Sequence, residues 1–343
     1  MKTLLVLFVA ALAAAPAAAG DGFPQAAMQA GAGVTSTQGR QYVAVGIDQS
    51  HTMLTTLQYG GVTGWSRLDG AFGIPMVTQS TTGGLSRDGR TLVLQEVALV
   101  APTQFVIVDA RTLQERDRFI LNGIYSFDAL SPDGSMLYLI QRVDARNYSR
   151  YVVRAYDLLN HHLLPGRIAD RTQRSWVMQG EPVARGTSSD GRWVYTLYSN
   201  PGGYPFVHAL DTERGVAHCV GIAWPQGKDQ GPLWNLVVAP RGRTVDIHWR
   251  SGRPFYRLDA ATWRATPVAA PDFPWYRPVL GGLGLLMLLV GERIRRRRSN
   301  TPVSVQGGSD VPTDRARTRR SPRPGPRALG PRRRAVVHGG PRR

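Results

Sequence analysis

Ser86-Arg87-Asp88-Gly89 leads into Thr91-Leu92-Val93-Leu94, and Ser131-Pro132-Asp133-Gly134 leads into Met136-Leu137-Tyr138-Leu139-Ile140. Ser189-Asp190-Gly191 repeats the phrase before Trp193-Val194-Tyr195-Thr196-Leu197-Tyr198. Two weaker copies complete the set: Ser36-Thr37-Gln38-Gly39 before Tyr42-Val43-Ala44-Val45, and Ala239-Pro240-Arg241-Gly242 before Thr244-Val245-Asp246-Ile247. The chemistry is that of a tight turn. Proline presets φ, aspartate tolerates the third position, and glycine accepts the positive φ from which the next strand departs. The glycines at 39, 89, 134, 191 and 242 are 50, 45, 57 and 51 residues apart, a period that signals a repeat architecture.

A second landmark follows each of the last four glycines. Val106-Ile107-Val108-Asp109, Val153-Arg154-Ala155-Tyr156-Asp157, Val207-His208-Ala209-Leu210-Asp211 and Phe255-Tyr256-Arg257-Leu258-Asp259 are short strands ending in an aspartate that starts an Asx-type turn. The first repeat has Gly60-Gly61 at that offset, which also turns a hairpin. Each repeat thus holds about four strands. A four-stranded sheet with two apolar faces is stable only when both are covered, and radial packing of five such sheets achieves this. The expected fold is all-β: a β-propeller of about five four-stranded blades, with a β-sandwich as the alternative. Open edges invite aggregation, so closure is expected to pair the strand near Val34 with the last blade near Trp263. The 57-residue interval is long enough to hide an irregular extra blade.

The turn followed by an apolar strand, then a strand ending in aspartate, resembles WD40-like repeats. It is most similar to the bacterial extracytoplasmic propellers of the YVTN-type and TolB-like groups. The resemblance covers about residues 24 to 270 and reports blade turns, not an active site. Gly-His and Trp-Asp dipeptides are missing from the blade positions.

The 343 residues are 42% hydrophobic and 19% charged, so most of the chain can bury a core. The net charge of +18 is concentrated at one end, since Glu292 to Arg343 holds 16 arginines and three acids. Lys2, the apolar run Leu4 to Ala15 and Ala17-Ala18-Ala19 read as a signal peptide over 1–19. A second apolar run begins at Pro278. Trp275 and Tyr276 precede it as an interfacial belt, and Arg293, Arg295, Arg296, Arg297 and Arg298 follow it as a stop-transfer cluster. The expected organisation is a signal peptide (1–19), the propeller domain (20–270), a juxtamembrane linker (271–277), a transmembrane helix (278–294) and a disordered Arg/Pro-rich tail (295–343). The positive-inside rule puts the propeller outside the cell membrane and the C-terminus in the cytoplasm.

The recurring acids Asp88, Asp133 and Asp190 read as turn formers with Gly39, Gly89, Gly134, Gly191 and Gly242, because catalytic carboxylates are needed once and not once per blade. Single Cys219 excludes an internal disulfide and a multi-cysteine metal site. The seven histidines form no compact ligand set, with His161-His162 read as strand neighbours facing opposite ways. Nucleophile elbows, phosphate loops and dinucleotide fingerprints are missing, so no catalytic residue, metal or cofactor is assigned. Trp176, Tyr204, Trp224 and Trp234 are candidate platform aromatics. The expected function is a membrane-anchored binding or scaffolding module for an envelope or extracellular protein, peptide or glycan, with lipid contact through the anchor and the arginines. Nucleic acid is a disfavoured partner, because the tail lacks interleaved aromatics and a folded reader. The alternatives are a propeller hydrolase or lyase acting on envelope carbohydrate or a lactone, and a transmembrane signalling protein using its basic tail.

Overall fold

Each Ser-x-Asp-Gly phrase closes a turn on itself. Ser86, Ser131 and Ser188 donate their hydroxyls to Asp88, Asp133 and Asp190 at 2.6, 2.6 and 2.5 Å. The N–H groups of Gly89, Gly134 and Gly191 return to the serine carbonyls at 3.0, 2.9 and 2.9 Å. All three glycines have positive φ, between 69° and 82°, which a side chain would strain. Such turns join the first and second strands of a blade. The computed structural model describes residues 26–268, apart from 171 and 173–176. The expected signal peptide, linker, transmembrane helix and tail, with Trp275, Tyr276, Arg293 and Arg295 to Arg298, lie outside the described residues.

Five antiparallel meander sheets follow one another. Blade 1 comprises Val34–Thr35, Gln41–Asp48, His51–Gln58 and Gly61–Asp69. Blade 2 comprises Phe72–Thr78, Thr91–Glu96, Thr103–Asp109 and Glu115–Leu121. Blade 3 comprises Ile124–Leu130, Met136–Arg142, Arg150–Asp157 and His162–Leu163. Blade 4 comprises Glu181–Thr187, Trp193–Ser199, Phe206–Asp211 and Val216–Gly221. Blade 5 comprises Leu236–Arg241, Thr244–Trp249, Pro254–Asp259 and Arg264–Pro267. The four-strand repeat expected from the spacing is therefore the one the chain adopts, and the architecture is that of a β-propeller.

The third-to-fourth-strand turns share one geometry. Asp109, Asp157, Asp211 and Asp259 each accept two backbone N–H groups from the residues just beyond, at 2.8 to 3.2 Å. Leu113, His161, Gly215 and Trp263 then take left-handed φ between 54° and 62°. His161 is thus a turn residue and not part of a strand. In blade 1 the corresponding corner is the two-residue loop Tyr59-Gly60, with φ of 51° and 77°.

Alternation along the strands gives each sheet two apolar faces. Val194, Leu210 and Ala217 of blade 4 pack on Ala129, Tyr138 and Ala155 of blade 3. From the opposite face Tyr195, Leu197 and Val207 pack on Val238, Val245 and Ile247 of blade 5. Each fully buried Leu, Ile or Phe in these layers contributes roughly 1.5–3 kcal/mol relative to exposure. Polar side chains tie the layers where apolar contact lapses. Buried Gln95 of blade 2 donates to Tyr125 O and accepts from Phe127 N of blade 3, both at 2.9 Å, and Tyr138 Oη donates to Thr212 O of blade 4 at 2.9 Å.

Two expectations need correction. Val34 pairs with Tyr42 inside blade 1, and Arg264–Pro267 pairs with its own neighbour Tyr256–Asp259, so the expected Val34–Trp263 closure does not form. Trp263 instead stacks on His218 of blade 4, ring centroids 4.1 Å apart. Its left-handed turn aims the indole at the adjacent blade. The 57-residue interval holds no extra sheet among the described residues. Its surplus runs beside the third strand of blade 3, where His162–Leu163, the bridge at Ile168 and Met178–Gln179 share one edge.

The axis is filled by a departure from the repeat. The first strand of blade 2 is interrupted: Phe72 and Gly73 pair with Glu96 and Gln95, and pairing resumes only at Leu85 opposite Leu92. Between them the chain makes a hairpin, with Met76 opposite Thr82 and Thr78 opposite Thr81. Its first strand, Phe72–Thr78, packs on the inner strands of blades 3 and 4 and on the second strand of blade 1. Thr82 Oγ1 donates to Gly33 O at 2.5 Å, and a Cβ on Gly83 would fall 2.6 Å from Phe127. It therefore occupies the middle of the molecule, where an open channel would otherwise run. Ala27–Met28 adds a further strand to it, opposite Pro75 and Ile74.

Candidate functional site

Strands that run antiparallel place the first-to-second-strand turns of all blades, the three Ser-x-Asp-Gly turns among them, at one end. There the axial hairpin and the inner strands enclose a pocket of about 250 Å³. Its wall is rich in hydroxyls: Thr35, Ser36 and Thr37 from blade 1, Thr81 and Thr82 from the hairpin, and Thr187 from blade 4. Arg87 stands in the wall as a cation.

Asp128 and Arg185 also line this pocket. Asp128 is the extra residue of a β-bulge, where the register of blade 3 shifts between Phe127 and Ala129. The bulge turns its side chain toward blade 4, in keeping with the way bulges re-aim side chains. Arg185 answers from the inner strand of blade 4: Nη1 donates to Asp128 Oδ1 at 3.0 Å and Nη2 to Asp128 O at 2.5 Å. The side chains are 2% and 8% exposed, so this is a buried ion pair. Asp128 Oδ2 is buried without a hydrogen-bond partner among the described residues.

A row of side chains continues outward from Arg185 across blade 4, through Thr196 and His208 to Cys219, which are successive cross-strand partners. His208 Nδ1 lies 3.6 Å from Cys219 Sγ. Burial pushes the His208 imidazole below its ordinary value; the Asp128 charge opposes this and Arg185 adds to it. Burial likewise pushes the Cys219 thiol up to about 12, with Asp170 reinforcing the shift. A thiol pushed in this direction is held protonated near neutral pH.

The His208 shift has a pH consequence. A folded-state value below the unfolded one means that the unfolded chain binds the extra proton. The stability linked to His208 is whole above about pH 6.5, the unfolded value, and falls as the pH drops below it. The urea midpoint should fall between pH 7 and pH 5, and H208N should flatten that fall. The lowered carboxyls Asp133, Asp190 and Asp211 act in a separate window: their contribution is present at neutral pH and is lost at more acid pH, as they protonate. An unchanged slope in H208N would remove histidine from the account.

Asp88, Gly89, Asp133, Gly134, Asp190 and Gly191 form their three turns side by side at the pocket end. Asp88 N donates to Pro132 O at 3.1 Å, and the Gly134 and Gly191 backbones lie close to Thr91 and Arg87. Gly39 closes the same kind of turn in blade 1, its N–H 3.0 Å from Ser36 O. Gly242, with φ of 61°, turns the Arg241–Thr244 hairpin of blade 5. None of these carboxylates converges on another across the pocket. Among the described residues no group of three His, Cys, Asp or Glu side chains is placed to hold a metal ion.

The aromatic candidates gather at the opposite end. Trp176 lies outside the described residues. Tyr204 is 59% exposed on the second loop of blade 4. Trp224 lines a groove of about 560 Å³ with Trp249, Phe255, Pro225 and Pro254. Ring centroids of Trp249 and Phe255 are 5.5 Å apart, and Trp224 meets Phe255 edge-on at 6.1 Å. Trp234 lines a neighbouring groove with Tyr204. Sequence reasoning missed Asp128, Arg185 and the axial hairpin. One signal was present: the segment entering the Ser86 turn is the polar, glycine-rich Thr81-Thr82-Gly83-Gly84.

No family model matches the chain, and no curated protein matches it. Among solved structures, TolB from Acinetobacter baumannii is 13% identical over 67% of this chain and 51% of that one, with a TM-score of 0.34. Apo AztD from Citrobacter koseri is 15% identical over 66% and 58%, with a TM-score of 0.34. BamB from Moraxella catarrhalis is 14% identical over 67% and 64%, with a TM-score of 0.38. The chain spans between half and two thirds of the length of these proteins. At such overlaps nothing about ligand or partner passes from them to this chain.

Proposed function

We propose that the chain is an extracytoplasmic β-propeller that binds or scaffolds an envelope partner, exported by residues 1–19 and held at the cell membrane by a helix over 278–294, with 295–343 in the cytoplasm. The observation that carries the binding reading is the pocket at the Ser-x-Asp-Gly end. It is walled by hydroxyls from several blades and based on a buried ion pair, so it suits a polar ligand: a loop or peptide of a protein, or an envelope glycan. A hydrolase using paired acids needs two carboxyls about 5–9 Å apart. The pocket lining holds one, Asp128, already committed to Arg185. The apolar run from Pro278 and the arginines after it support the anchor. Among the described residues no helix is long and apolar enough to cross a membrane.

A photoreactive amino acid at Thr37, in the pocket wall, tests the binding site in intact cells. It should give a discrete adduct that the pocket-filling variant T187W suppresses, whereas the same group at Trp65, on the outer strand of blade 1, should give none. Equal adducts at both positions, or none at Thr37, would count against the site.

A further inference from the structure

Exposed apolar side chains recur at the end of the molecule opposite the pocket. The loops between second and third strands all lie at that end. At or beside them stand Ile47 of blade 1, Val100 of blade 2, Val143 of blade 3 and Tyr204 of blade 4, with exposures of 54, 38, 42 and 59%. Blade 5 completes the series with half-buried Trp249 and the groove behind it. An exposed aliphatic or aromatic residue is ordinary singly; here one recurs at or beside the corresponding loop of each blade. The acids of these loops are engaged locally: Asp48 with His51 at 2.9 Å, and Asp144 with Arg150 at 3.3 Å. Asp229 accepts the Gly231 N–H at 2.9 Å. Lys228, Arg250 and Arg253 are exposed around the groove and make no ion pair among the described residues.

The chain leaves the propeller at this same end. Val268, the last described residue, lines the groove and donates its N–H to Phe255 O at 3.0 Å. From there to Pro278 is ten residues, at most about 33–36 Å of extended chain. We propose that this end of the propeller lies on the bilayer: Ile47, Val100, Val143, Tyr204 and Trp249 enter the interfacial layer, and Lys228, Arg250 and Arg253 bind anionic lipid headgroups. The inference rests on residues 278–294 being the anchor. Trp and Tyr favour the headgroup level, and each basic residue near an anionic surface adds attraction. With its apolar end on the lipid, the propeller presents the polar pocket outward.

The full chain in nanodiscs of phosphatidylcholine and phosphatidylglycerol, three to one, provides the test. A polarity-sensitive fluorophore is attached at V143C or Y204C, and at L159C or Y59C on the opposite end, each in a C219A background. Spin-labelled lipids should quench the first pair at least threefold more than the second. R250E combined with R253E should bring quenching at Y204C down to the level of the opposite end. Equal quenching at both ends, or no effect of the double charge reversal, would overturn the assignment while leaving the anchor standing. A chain that fails to incorporate into the nanodiscs would overturn the anchor and the face together.

Discussion

R185A should lower the stability of the protein by about 3–5 kcal/mol, the cost of breaking a buried ion pair from one side. The size follows from what remains behind. Asp128 sits 2% exposed on a bulge that fixes its direction, with Oδ2 already lacking a partner. Without the guanidinium it loses the bonds on Oδ1 and on its carbonyl together. Urea titration followed by tryptophan fluorescence measures the loss. The double variant D128L with R185M removes both charges and should recover most of it, because matched apolar groups avoid the desolvation penalty. Strictly additive losses would show that the two side chains do not act as a pair.

The second large effect is steric. G186V should cost at least about 3 kcal/mol, at or beyond the upper end of ordinary overpacking. A Cβ at Gly186 would fall 2.3 Å from Val238 O and 2.6 Å from Pro240 Cδ, where the inner strands of blades 4 and 5 meet. One of the obstructing groups is backbone inside a paired strand, so neither blade yields without loosening its hydrogen bonds. G221A supplies the control: its Cβ would meet nothing within 4 Å. That substitution should stay within about 0.5 kcal/mol of the parent. Equal stability of the two variants would mean that blades 4 and 5 are not held at this distance.

The repeat was legible because its corners depend on local chemistry. A serine hydroxyl, an aspartate two residues on and a glycine at positive φ specify the same turn wherever they occur, so Gly89, Gly134 and Gly191 mark their blades without reference to the rest of the fold. The strands ending in Asp109, Asp157, Asp211 and Asp259 were legible for the same reason. What escaped depends on long-range placement. Phe72–Thr78 has the apolar content of any inner strand, and nothing local distinguishes it from one that pairs along its whole length. Asp128 is one acid among 24, and only the shifted register of blade 3 brings it opposite Arg185, 57 residues later. Trp263 reads as a closing strand residue, yet a left-handed corner sends its ring to blade 4.

The hairpin at the axis changes how the repeats depend on one another. In a simple array each unit feels only its neighbours, so stabilities add link by link. Here a single strand of blade 2 reaches strands of three other blades. It acts as a keystone: Ile74 is buried among residues of blades 1 and 2, and Val77 among residues of blades 2 and 3. Exchanging or duplicating a blade would therefore disturb more than the two seams beside it. The design is closer to an arch than to a stack of bricks.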